Sequence, residues 1–171
     1  MSRSRAALPV LALFALAGCG GKDGPETPAG PSAERFTAVL NGTGVVPATT
    51  STITGSVSFS AVPGDSILSY TLSVSNMTGV TQAHLHNAAA GANGAIVAWL
   101  LPVNGNSAQP SSVTLDGVIS LGDIAPAWIR GSPRLAMDSV KGLLRAGRLY
   151  VDVHSSAFTA GEIRGQLQRA P

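Results

Sequence analysis

Cysteine is nearly missing from this chain, with one in 171 residues. That excludes an internal disulfide, a Cys-based structural zinc finger and a CxxC redox pair. Charged residues are only 12%, about half the usual globular share. Aromatics are 5%, too few for a platform that stacks nucleic-acid bases. Long apolar runs are absent: the longest near the N-terminus, Ala6 to Leu16, has 11 residues. A helix that short does not cross the roughly 30 Å bilayer core. Missing too are GxSxG, GxxxxGK[ST] and HExxH, and Gly42-Thr43-Gly44 lacks the third glycine of a dinucleotide loop. No catalytic constellation is therefore read. What is present is 44% hydrophobic residues, enough for a core, with 20 glycines and 11 prolines that favour turns over long helices.

The N-terminus reads as an address. Arg3 and Arg5 form a basic start, Ala6 to Leu16 an apolar centre, and Ala17-Gly18 a small-residue end. The sole cysteine falls at that end, and Leu16-Ala17-Gly18-Cys19 resembles the bacterial lipobox. The resemblance implies a signal peptide over 1–18, cleavage before Cys19, a diacylglycerol on its thiol and a further acyl chain, such as palmitate, on the new amine. Two or three chains at ~0.8 kcal/mol per buried CH₂ hold a protein stably on a membrane. Gly20 stands where a retention signal would place Asp, so the expected location is the cell envelope, at the outer membrane if the cell is Gram-negative. Residues 19–34 then form the lipidated N-terminus and a Gly/Pro-rich linker with a coil span of roughly 20 Å. Of eleven basic residues, Arg3 and Arg5 leave with the signal, so nine face nine acidic ones. A net charge of zero gives no field to recruit nucleic acid.

Residues 35–171 read as one all-β domain. Phe36, Val39 and Leu40 start the apolar pattern; Ile53, Gly55, Val57 and Phe59 alternate; Leu68, Tyr70, Leu72 and Val74 share one face. Ala95 to Leu101 is a near-continuous apolar run, as in a central strand. Asp116-Gly117 reads as a hairpin turn between Val113–Leu115 and Val118–Leu121, and Asn93-Gly94 as a tight turn. Met137, Val140, Leu143 and Leu144 have helical spacing, ended by Ala146-Gly147, which predicts one short helix over Met137 to Arg145. About eight strands in this length fit a Greek-key β-sandwich or barrel. Its Ser/Thr-rich, charge-poor faces serve solubility, or suit an extracytoplasmic protein or matrix partner.

The three histidines carry the candidate chemistry. His84 and His86 alternate in Ala83-His84-Leu85-His86, so a strand projects both from one face. In Val151-Asp152-Val153-His154 the valines point one way, Asp152 and His154 the other. The histidines are either hydrogen-bonded polar residues that fix two strand ends or, if the two strands meet, a three-imidazole site of His84, His86 and His154 suited to copper or zinc. Asp152 lies on that face as an outer acceptor or fourth ligand. Glu162, Arg164 and Gln166 share a face of the last strand, where Arg164 is either half of a charge pair or an anion-binding group beside the histidines.

These residues also carry a family resemblance. Ala83-His84-Leu85-His86, Ala90-Gly91-Ala92-Asn93-Gly94 with the apolar strand after it, and Leu149 to Ser155 followed by Gly161 to Leu167 resemble the signature of the chordin-type (CHRD) domain. Leu40-Asn41-Gly42, Pro47 and Gly55 match its first strands. The chain departs from the family at Asp152, usually Asn, and at Val45, usually Glu. The resemblance implies a binding or scaffold module, secreted or anchored. A weaker resemblance reaches the copper/zinc superoxide dismutases, which have an HxH strand and a later Val-x-Val-His strand on a Greek-key sandwich. It carries over only His84, His86 and His154 as copper ligands, and implies redox activity as the alternative function. Arg164 falls near the place of that family's anion-guiding arginine. The bridging histidine and zinc ligands have no counterpart here, so a full dismutase site is not implied.

Overall fold

The computed structural model describes residues 32–64, 66–103, 105, 112–131 and 133–171. The lipobox-like stretch, Cys19 and the expected linker before residue 32 lie outside the described residues. Nine strands are described: β1 (Glu34–Asn41), β2 (Thr54–Ala61), β3 (Leu68–Thr78), β4 (Val80–Asn87), β5 (Ala95–Leu101), β6 (Thr114–Ile124), β7 (Leu149–Ser155), β8 (Ile163–Gln166) and the short β9 (Gln168–Arg169). One helix, α1, spans Met137–Arg145, as its spacing predicts. Val140 and Leu144 are fully buried, and Gly147 past its end takes φ +62.

The strand order is β5-β4-β7-β8-β1-β2-β3-β6, with β9 added beside β1. Every pairing is antiparallel. The neighbours β3–β6 and β4–β7 are crossover pairings of the Greek-key kind. The all-β expectation with one short helix holds, as a nearly closed antiparallel barrel. The open seam lies between β5 and β6. There the Tyr70 hydroxyl donates to Leu100 O at 2.8 Å, and Ser120 Oγ donates to the same carbonyl. Arg130 N reaches Val97 O at 2.6 Å. These groups satisfy carbonyls that a closed ladder would otherwise pair.

Period two places the core. Phe36, Ala38 and Leu40 of β1 point in, so Val39 is an outward residue, 70% exposed, and not part of the inward set. The expected hairpin at Asp116-Gly117 does not form. Gly117 takes φ +87 inside β6, and β3 pairs with β6 along its length. The expected turn at Asn93-Gly94 is displaced as well. Ala92 N bonds Ala89 O, and Gly91, at φ +78, turns the chain. Gly94 is instead required by packing, since a Cβ there would collide with the Asn87 carbonyl.

Strand β7 is buried on both faces. Its inner face, Val151 and Val153, joins the core. Its outer face is covered by loops that β8 ties down. Ser51 Oγ donates to Glu162 Oε1 and Thr49 Oγ1 to Glu162 O, both at 2.8 Å. Arg164 donates to Asn93 Oδ1 at 2.9 Å and Ala92 O at 2.8 Å. Gln166 Nε2 reaches Ala88 O, Gly147 O and Leu149 O. The face shared by Glu162, Arg164 and Gln166 is thus a row of loop anchors.

Candidate metal centre

The outer face of the β4–β7 pair brings the three histidines together. His84 stands directly opposite Asp152, His86 opposite Tyr150, and Gln82 opposite His154. His84, His86 and His154 are 3%, 8% and 8% exposed, and Asp152 is 7% exposed, so water does not solvate their donor atoms freely.

Asp152 Oδ1 is at the middle of the group. It lies 3.3 Å from His84 Nδ1, 3.2 Å from His86 Nε2 and 3.2 Å from His154 Nε2. His84 Nδ1 and His154 Nε2 are also 3.2 Å apart. All four donor atoms fall within 4.8 Å of one another. Tetrahedral ligands 2.0 to 2.1 Å from one ion stand about 3.3 Å apart. The group could therefore hold a metal ion, with Asp152 in the donor set itself and not only behind it.

Tautomers sharpen this. His86 Nδ1 lies 2.8 Å from Gly94 O and His154 Nδ1 2.9 Å from Thr159 O. A carbonyl only accepts, so each Nδ1 bears the hydrogen, and in the neutral ring each Nε2 presents a lone pair to the cluster. A carbonyl behind a histidine is the usual support for a metal-ligating ring. His86 Nε2 is buried with no hydrogen-bond partner, although it approaches Asp152 to 3.2 Å. Lone pairs and a carboxylate so close repel unless a proton or cation lies between them.

Protonation follows the same geometry. Burial pushes Asp152 up, but its contacts with His154 and His84 and the close approach of His86 outweigh it and hold the carboxyl well below the usual range. Burial lowers His84, against the pull of Asp152. Burial also acts to lower His154, but its hydrogen bond with Asp152 and that carboxylate's charge leave it raised.

Aromatic rings brace the cluster. Tyr150 stacks on His86 at 4.8 Å and 4°. The Arg164 guanidinium lies 3.4 Å above the Tyr150 ring. Arg164 thus reaches the site only through Tyr150, while its hydrogen bonds serve the 88–94 loop. Trp99 of β5 meets His84 edge to face, with centroids 4.4 Å apart. Gly161, at φ +116, lies beside the group: a Cβ there would be 3.9 Å from Asp152 Oδ2. Tyr150 and Trp99 are site residues that the motif reading passes over. Tyr150 was findable, two residues before Asp152 on one strand face. Trp99 sits in an apolar run whose alternation is masked.

The family model of the CHRD domain matches residues 36–167. This chain belongs to the CHRD domain family. The match takes in both histidine strands of the CHRD domain and the β8 row that anchors its loops. No curated protein and no solved structure matches the chain, so the weaker likeness to superoxide dismutases gains no support from either comparison.

Proposed function

We propose that this chain is an envelope-anchored binding module whose CHRD domain takes one divalent transition-metal ion, copper or zinc. The ligands are His84 Nδ1, His86 Nε2, His154 Nε2 and Asp152 Oδ1. The observation that carries the reading is the buried, unpartnered Nε2 of His86 aimed at a carboxylate, with its tautomer set by Gly94 O. Imidazole nitrogens with one carboxylate suit copper and zinc over calcium or magnesium. The lipobox-like stretch supports the anchor at Cys19.

The test is titration of Cu²⁺ and Zn²⁺ into the wild type and the His84→Ala, His86→Ala and His154→Ala variants. One equivalent binds to the wild type, and His86→Ala weakens it at least tenfold, about 1.4 kcal/mol. Because His154 is raised above its ordinary 6.5, protons begin to displace the ion above that pH as the solution is acidified. Equal weak binding by all four proteins overturns the metal reading.

That outcome would leave a module for a macromolecular partner. The feature in its favour is the outer face of β1, β2 and β3, where Thr37, Ser58 and Thr71 stand in one row and Val39, Ser56 and Ser73 in the next. Leu121 continues the first row and is 66% exposed.

A further inference from the structure

We propose that the copper form of this site is a one-electron relay, exchanging electrons with partners that never touch the metal, by way of Trp99. The inference rests on the metal reading above and goes further in assigning a chemistry.

Three observations lead there. First, the protein supplies the donor set. Four protein donors make up a tetrahedral count, and all four residues are buried. A hydrolytic metal site keeps a position open for water or substrate, whereas here four buried protein residues already supply a tetrahedral count of donors.

Second, the ion joins strands that are already joined. His84 and His86 lie on β4, Asp152 and His154 on β7, and these strands pair from Val80–Ser155 to Asn87–Leu149. A purely structural ion is most useful where chain segments are otherwise loosely held. Here the ladder holds the donor-bearing strands beforehand, and four of the six donor–donor distances are 3.2 to 3.3 Å. Copper(II) left to itself adopts a tetragonal arrangement. Ligands held in this way keep their places when the ion changes charge, which favours electron transfer without bond making.

Third, an aromatic path leads outward. His84 is the most buried ligand, and the Trp99 ring lies against it while Trp99 itself is half-buried. Tyr150, the other ring touching a ligand, is 2% exposed beneath Arg164 and has no such exit.

In the step, protein-bound copper(I) becomes copper(II) and one electron passes to an outer-sphere oxidant. With ferricyanide as probe, its iron(III) becomes iron(II). No bond to copper forms or breaks, and no proton moves.

The experiment uses the full chain in detergent, loaded with copper and reduced with ascorbate, which is then removed. Oxidation by ferricyanide is followed by stopped flow, with rates taken per bound copper. Trp99→Leu slows the reaction at least about tenfold with copper stoichiometry unchanged, whereas Trp99→Phe stays within about threefold. The chain has two tryptophans, so Trp128→Phe leaves Trp99 as the only indole. In that variant copper(II) quenches fluorescence to an end point at one equivalent, and zinc does not. Copper binding with an unchanged rate in Trp99→Leu, or without quenching of Trp99, overturns the relay and leaves the metal site. Binding of zinc alone does the same. Binding of neither metal overturns both.

Discussion

Asp152 and His154 sit two residues apart on one face and move in opposite directions from their ordinary values. Asp152 is lowered, so its contribution to stability is present above the ordinary 3.8 and is lost as pH falls through its lower folded value. His154 is raised, so its contribution is present below 6.5 and is lost as pH rises through its folded value. Between roughly 4 and 6.5 both partners are charged in the metal-free protein. His154→Gln should therefore cost the metal-free domain more at pH 6 than at pH 9. Denaturant unfolding in a chelating buffer at the two pH values checks this, and a cost that grows toward pH 9 contradicts it. An Asn at position 152 would lack the negative charge, so this pH behaviour depends on the Asp152 carboxylate.

Between β3 and β6, two irregularities offset each other. Ile119 is an extra residue in β6, and one extra residue falls in β3 between Val74 and Met77, where Asn76 takes φ +49. Asn76 N bonds Asp116 Oδ1 at 3.1 Å across the second offset. This shift carries the inward set of β3 from Val74 to Met77. The dipeptide Asp116-Gly117 is the local signal for a hairpin, and Gly117 does use a positive φ. The β3 edge alongside turned that signal into a bulge. Gly117→Ala finds open space for its methyl group but not a comfortable backbone. It should destabilise the domain by about 1–2 kcal/mol, read as a shift in denaturant midpoint. Metal titration of the variant should match the wild type, because β6 does not contribute a ligand.

Among the described residues no helix is long and apolar enough to cross a membrane. The proposed attachment rests on Cys19 and its acyl chains. Cys19→Ser should move the protein out of the membrane fraction or leave it unprocessed. A variant still cleaved before residue 19 and still partitioning with detergent contradicts the anchor. The proposed mature chain, with nine basic and nine acidic residues, adds no net electrostatic attraction to anionic lipid, so high salt should not release the wild type.

Sequence alone determined what depends on short periods. Leu68, Tyr70, Leu72 and Val74 announce a strand face, and Met137, Val140 and Leu144 a helix face, because side-chain direction follows backbone period. The same rule put His84 with His86 and Asp152 with His154. Tertiary structure decided everything set by neighbours in space. It paired β4 with β7, which sequence spacing does not encode, and so made two half-sites into one. It placed the Asp152 carboxylate among the imidazoles and set two tautomers with the carbonyls of Gly94 and Thr159, a contact that any residue type there could supply. It brought Trp99 and Tyr150 onto the histidine rings, and it overruled the turn signals at Asn93-Gly94 and Asp116-Gly117. A local signal offers the backbone a conformation, and the packing and hydrogen bonds of adjacent strands select which one is kept.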